Sequence, residues 1–79
     1  MFDSYITVNG PHALEQAYAF AEYYDVRIAP MDVNDQSYAI ECDEDVENDI
    51  CLSEEKCLAA LQEIEAATGT HINIEDLEF

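Results

Sequence analysis

Residues 41–55 of this chain read ECDEDVENDICLSEE, and eight of the fifteen carry carboxylates: Glu41, Asp43, Glu44, Asp45, Glu47, Asp49, Glu54 and Glu55. No lysine or arginine falls among them. Anions crowded in this way repel one another, so folding gains nothing by gathering them. They read as groups on display, and two kinds of partner have the chemistry to meet them. One is a hard cation held by oxygen ligands; the other is a protein surface rich in lysine and arginine.

The cation reading rests on spacing. Counted from Asp43, the run DEDVENDICLSE over 43–54 puts Asp43, Asp45, Glu47 and Glu54 at the first, third, fifth and twelfth places of an EF-hand-type calcium loop. The Asp49 carbonyl takes the seventh place and Ile50 the apolar eighth. Against this, Asn48 stands where such loops turn on glycine, and the incoming segment alternates like a strand. A calcium-binding module over 43–54 is therefore the alternative reading, and no metal site or cofactor is assigned.

The second reading uses the same residues together. Duplex DNA presents one negative charge per roughly 1.7 Å of axis, and a rigid domain studded with carboxylates can occupy a basic groove as phosphates do. Candidate contacts are Asp43, Glu44, Asp45, Glu47 and Asp49, flanked by Glu41, Glu54 and Glu55, with Asp32 and Asp35 from the turn that precedes them. Glu75, Asp76 and Glu78 form a second patch near the end of the sequence. Nineteen acids face only Arg27 and Lys56, for a formal net charge of −17. Solubility alone asks for a net charge of roughly 2 to 8 in a small domain. The balance disfavours direct binding to nucleic acid or to anionic membrane and favours a basic nucleic-acid-binding protein. The bland alternative is an acidic adaptor domain from a salt-loving cell.

Other chemistry finds little footing. Cys42, Cys51 and Cys57 fit no CxxC spacing, which argues against zinc. Their odd number and the absence of a basic leader or long apolar run lead to the expectation of buried, free thiols in a reducing cytoplasm. His12 and His71 lie apart from any nucleophile motif, and two glycines leave no phosphate-cradling loop. The chain is read as not an enzyme. Five tyrosines remain, and Tyr23 and Tyr24 cannot both face inward from one helix, so one of them is a candidate contact.

The elements that must carry these groups follow from periodicity. Residues 4–8 alternate and are β-branched or aromatic, which predicts a strand. Residues 11–24 place Ala13, Leu14, Ala17, Phe20 and Ala21 on one helical stripe, with Pro11 at the first position and Asn9 or Gly10 as cap. Residues 26–31 and 37–42 read as a hairpin around the Asp/Asn-rich turn at 32–36, with Pro30 marking an edge or an end. Residues 43–52 read as a loop. Ser53 then caps a second helix whose stripe is Cys57, Leu58, Leu61 and Ile64, extended to Ala67 and Thr68 and closed by Gly69. Residues 71–74 form a last strand that Leu77 and Phe79 continue. The order β-α-β-β-α-β predicts one α+β domain over 1–79: a ferredoxin-like, four-stranded antiparallel sheet with two helices on one face.

In its length, its charge, the density of ECDEDVENDI and its lack of catalytic motifs, the chain resembles the small acidic proteins that phages and plasmids encode against host defence. In particular it resembles anti-CRISPR proteins that act as DNA mimics. The likeness is one of overall character and covers no aligned motif, so no site residue is carried over from it. It implies a stoichiometric inhibitor in the host cytoplasm that binds the basic DNA-handling surface of a CRISPR surveillance complex and excludes target DNA.

Overall fold

The computed structural model describes residues 5–34 and 36–78. Their elements are strand β1 (Tyr5–Asn9), helix α1 (Ala13–Tyr24), strands β2 (Ile28–Pro30) and β3 (Ser37–Glu41), and a short helix α2 (Glu44–Val46). A π-helical turn (Glu47–Cys51) continues α2; helix α3 (Glu54–Thr68), a 3-10 turn (Ile74–Asp76) and strand β4 (Leu77–Glu78) follow. The fold is α+β: one antiparallel sheet in the order β2-β3-β1-β4 with three α-helices.

Alternation in the strands decides which face of the sheet is buried. Ile6 pairs with Ile40, which pairs in turn with Ile28, and Val8 lies between Tyr38 and Leu77. These side chains form one core with Ala13, Ala17 and Phe20 of α1 and with Cys57, Ala60, Leu61 and Ile64 of α3. Sealing an isoleucine or phenylalanine is worth about 1.5–3 kcal/mol each, and Ile6, Phe20, Ile40, Ile50 and Ile64 are all below 2% exposed except Ile50 at 2%. The opposite face carries Tyr5 across from Glu41 and Thr7 across from Ala39.

Several expected boundaries move. α1 starts at Ala13, not Pro11, because Gly10 (φ +106°) turns the chain and its N–H donates to the Gln36 carbonyl. His12 is the residue at the cap, and its side chain makes no capping bond. α1 ends on Asp25 at φ 56°, a left-handed conformation that Asp adopts more readily than most residues. Leu14 and Leu58, expected on the buried stripes, are exposed, while Gln16 and Ala60 take buried places. α3 begins and ends as expected: Ser53 Oγ accepts from the Lys56 N–H, and Gly69 takes a left-handed φ of 79°.

The largest departures are at 43–51 and 71–78. Residues 44–51 are helical rather than a loop. Val46 and Ile50 stand four apart, and both are buried, so the apolar spacing of a helix lies between the carboxylates. Residues 71–73 are not a strand; the strand is Leu77–Glu78. Asn73 Oδ1 accepts from the Glu75 N–H and its carbonyl accepts from the Asp76 N–H, which bends the chain where alternation predicted extension. Ser4 and Phe79, the expected strand ends, lie outside the described residues.

Candidate partner-binding surface

The acidic segment is built from its cap outward. Asp43 is extended and its Oδ1 accepts the Val46 N–H at 2.9 Å, which starts α2. Glu44 and Asp45 then occupy the first turn, where the positive end of the helix favours them. Val46 and Ile50 point into the core and hold the segment down. Glu44, Asp45, Glu47, Asn48 and Asp49 are left exposed. At about 1.5 Å per residue the carboxylates at 44, 45, 47 and 49 fall within roughly 8 Å of helix axis, fanned round its solvent side because each position turns by about 100°.

Little in the molecule neutralises this row. Among the described residues, the basic nitrogens within 4.0 Å of a carboxylate are His12 Nδ1 with Glu15 at 4.0 Å and His71 Nδ1 with Glu65 at 3.3 Å, and neither involves the segment. Lys56 lines a recess of about 190 Å³ with Asp49, Ala59, Ala60 and Glu63.

Two tyrosines of α1 meet acidic side chains here. Tyr24 Oη donates to Asp49 Oδ2 at 3.1 Å, and Tyr23 Oη donates to Glu63 Oε2 at 3.2 Å. The rings meet edge to face at 4.9 Å, and Tyr24 stacks on Phe20 of the core. Burial first, and then the Asp49 charge, raise the Tyr24 phenol above its ordinary range, so it stays protonated and keeps donating. The expectation that one of this pair faces inward corresponds to Tyr24, which packs against the core, while Tyr23 is exposed.

The remaining candidate contacts that are described lie on other elements. β3 runs from Ser37 to Glu41 between the turn and the acidic segment; five strand residues span roughly 16 Å. Asp32 therefore sits at the end of the sheet away from Glu44–Val46. Its Oδ1 is committed to the Asn34 and Gln36 N–H groups. Asp35 lies outside the described residues. Glu41 is half-buried, across from Tyr5 on the sheet's other face. Glu55 is exposed at the start of α3, and Glu54 lines a cleft with Ile50, Cys51, Ser53, Cys57 and Ile74. In the second patch Glu75 is exposed, Glu78 accepts from Asn9 Nδ2, and Asp76 is half-buried and bonded to Gln16.

No family model, curated protein or solved structure matches the chain. The site is therefore read from its own geometry. The calcium-type spacing at 43–54 does not close into a loop, because a helical run projects its side chains outward and Asp43 is spent as a cap. Among the described residues no three His, Cys, Asp or Glu side chains gather as metal ligands would.

Two long-range supports escaped sequence reasoning. Gln16, on the α1 stripe, is buried and bridges α1 to residues 73–76: Oε1 accepts from the Asn73 N–H at 2.7 Å and Nε2 donates to Asp76 Oδ2 at 3.0 Å. A polar residue at a stripe position was the available signal. Glu63 joins the acidic surface through Tyr23, a link across forty positions that no local pattern announces.

Proposed function

We propose that this chain is a stoichiometric protein inhibitor that presents the charge of nucleic acid and blocks the basic DNA-binding surface of a host defence complex, of the kind a CRISPR surveillance complex displays. The observation that carries this reading is the group Glu44, Asp45, Glu47 and Asp49, exposed and, among the described residues, unpaired with any cation, on a segment pinned by Val46 and Ile50. Anions clustered on a helical segment release a basic groove's counterions without ordering a loop first. Glu55 and Glu63 extend it along α3, and Tyr23 adds an aromatic face beside it. The working surface in this reading is one end of the molecule; Asp32 and the 75–78 patch fall outside it. It acts by occupancy rather than catalysis, in the cytoplasm of the host cell.

The same reading takes the topology as ferredoxin-like. Support comes from the order β2-β3-β1-β4, in which β3 lies between β1 and β2 while β1 lies between β3 and β4, as two interleaved strand-helix-strand units require.

The test replaces Glu44→Gln, Asp45→Asn and Glu47→Gln together, sparing the Asp43 cap and the Asp49–Tyr24 bond. Competition against duplex DNA for a purified CRISPR surveillance complex is the measurement. The triple variant should lose at least tenfold in affinity, about 1.4 kcal/mol. It should also show a shallower salt dependence, by up to about 0.9 per charge removed. Undiminished inhibition by a folded triple variant sinks the proposal.

A further inference from the structure

A cleft of about 380 Å³ opens to solvent where the acidic segment meets α3. Its walls are Ile50 and Cys51 of the π-helical turn, Ser53, Glu54 and Cys57 at the start of α3, and Ile74 of the 3-10 turn. Ile50 and Cys57 are buried, Ile74 is half-buried and Cys51 is exposed. Asn73 caps the 3-10 turn, and Ile74 stands against α3 instead of continuing a strand. Ser53 Oγ already accepts the Lys56 N–H, and Glu54 is the charged member of the lining. Leu52, between two wall residues in sequence, is 62% exposed, so more apolar surface adjoins the cleft.

The charge around this mouth has one sign. Glu54 lines it, and Glu55 and Glu75, next in sequence to the wall residues Glu54 and Ile74, are exposed. Lys56 lines the separate recess with Asp49 and Glu63. A second copy of this chain, itself at −17, is repelled from such a mouth, as is any acidic peptide. An uncharged apolar segment would cover the carboxylates without giving them partners, which costs free energy. An apolar side chain between lysines or arginines meets both demands: the side chain fills the cleft and the cations meet the rim.

We propose that this cleft is an anchor pocket for a large apolar side chain of a partner protein, set between lysines or arginines in the partner's sequence. The inference takes the partner's basic character from the inhibitor reading and deepens it. Charge alone would suit any basic groove, whereas an apolar anchor selects a groove that carries such a side chain among its cations.

The probe is a blocked pentapeptide with tryptophan between two pairs of lysines. The chain contains no tryptophan, so indole emission reports the peptide alone. One comparison peptide has alanine for tryptophan, and another has glutamates for the lysines. Titration with the lysine–tryptophan peptide should shift indole emission to the blue. Amide shifts in NMR spectra of the labelled protein should centre on Ile50, Cys51, Cys57 and Ile74. The alanine peptide should bind at least about fivefold more weakly, since it has no large side chain to bury. The glutamate peptide should not bind. Cys51→Phe, at an exposed wall position, should remove the advantage of tryptophan over alanine; if that variant fails to fold, the amide map of the native protein decides alone. Equal affinity of the two lysine peptides, amide shifts confined to Glu44–Asp49, binding of the glutamate peptide, or a dimer of this chain that Cys51→Phe breaks overturns the proposal. No defence complex enters the titration, so the two readings fail separately. Equal lysine peptides remove the pocket and leave the inhibitor; undiminished inhibition by the Glu44→Gln, Asp45→Asn, Glu47→Gln variant removes the inhibitor and leaves the tryptophan advantage.

Discussion

Removing the carboxamide of Gln16 should cost more than removing any exposed carboxylate. Gln16 is 2% exposed, and it bridges α1 to both the Asn73 N–H and the Asp76 carboxylate. Gln16→Ala leaves both groups short of a partner at about 1–3 kcal/mol each. Asp76 is half-buried and Asn73 exposed, so water recovers part of this; a total of about 2–3 kcal/mol follows at the lower half of that range. A domain of 79 residues has a stability on the order of 4–12 kcal/mol. At about 4–8 °C per kcal/mol, the melting temperature should fall by roughly 10–20 °C. Urea unfolding followed by circular dichroism gives the free energy, and Gln16→Glu supplies the control. That variant sets a second carboxylate against Asp76 with no N–H to donate, so it should be worse than Gln16→Ala at neutral pH. Below roughly pH 4.3 protonation restores a donor, and its deficit should shrink. A Gln16→Ala protein within about 0.5 kcal/mol of the parent, or a Gln16→Glu deficit that ignores pH, refutes the bridge as a structural support.

Three further outcomes follow from the same structure. Asp43→Ala should cost about 1 kcal/mol in urea unfolding despite removing a like charge, because it deletes the α2 cap, whereas Asp43→Asn should keep the cap and lie near the parent. Stability should hold up to about pH 9 and decline above it. Cys42 and Tyr24 are both raised in the folded state from ordinary values of 9.0 and 10.0, so their neutral forms favour folding until the unfolded chain begins to ionise. Tyr24→Phe should make the alkaline decline shallower, which pH-jump unfolding would read. Millimolar calcium should produce neither heat in titration calorimetry nor a shift in melting temperature, since residues 44–51 are helical and Asp43 is engaged as a cap.

The strands at 5–9 and 37–41, the helix at 13–24 and most of the helix from Ser53 to Gly69 were legible because each repeats its own apolar period or carries its own punctuation. The segment 43–51 was misread for a specific reason: two apolar residues, Val46 and Ile50, are a thin signal among carboxylates whose types suit a loop. Ile72 and Ile74 misled in the other direction, since their alternation fits a strand while Asn73 and the Gln16 bridge turn the backbone. The structure spreads the candidate contacts over several elements rather than along one segment. Proximity in sequence put Asp32 beside Asp43, and the length of β3 separates them.

Sequence alone fixes the sign and the density of the charge, because net charge is a sum over side chains and needs no geometry: −17, with more than a third of it placed between residues 41 and 55 before deduction of the two bases. Only the tertiary structure decides which of those anions are free to meet a partner. Asp43 caps a helix, Asp32 closes a turn, Asp76 anchors α1 and Asp49 accepts from Tyr24, and each assignment depends on a donor brought near by backbone geometry or by packing. Charge is additive along a chain; its availability is a property of neighbours, and neighbours are set by the fold.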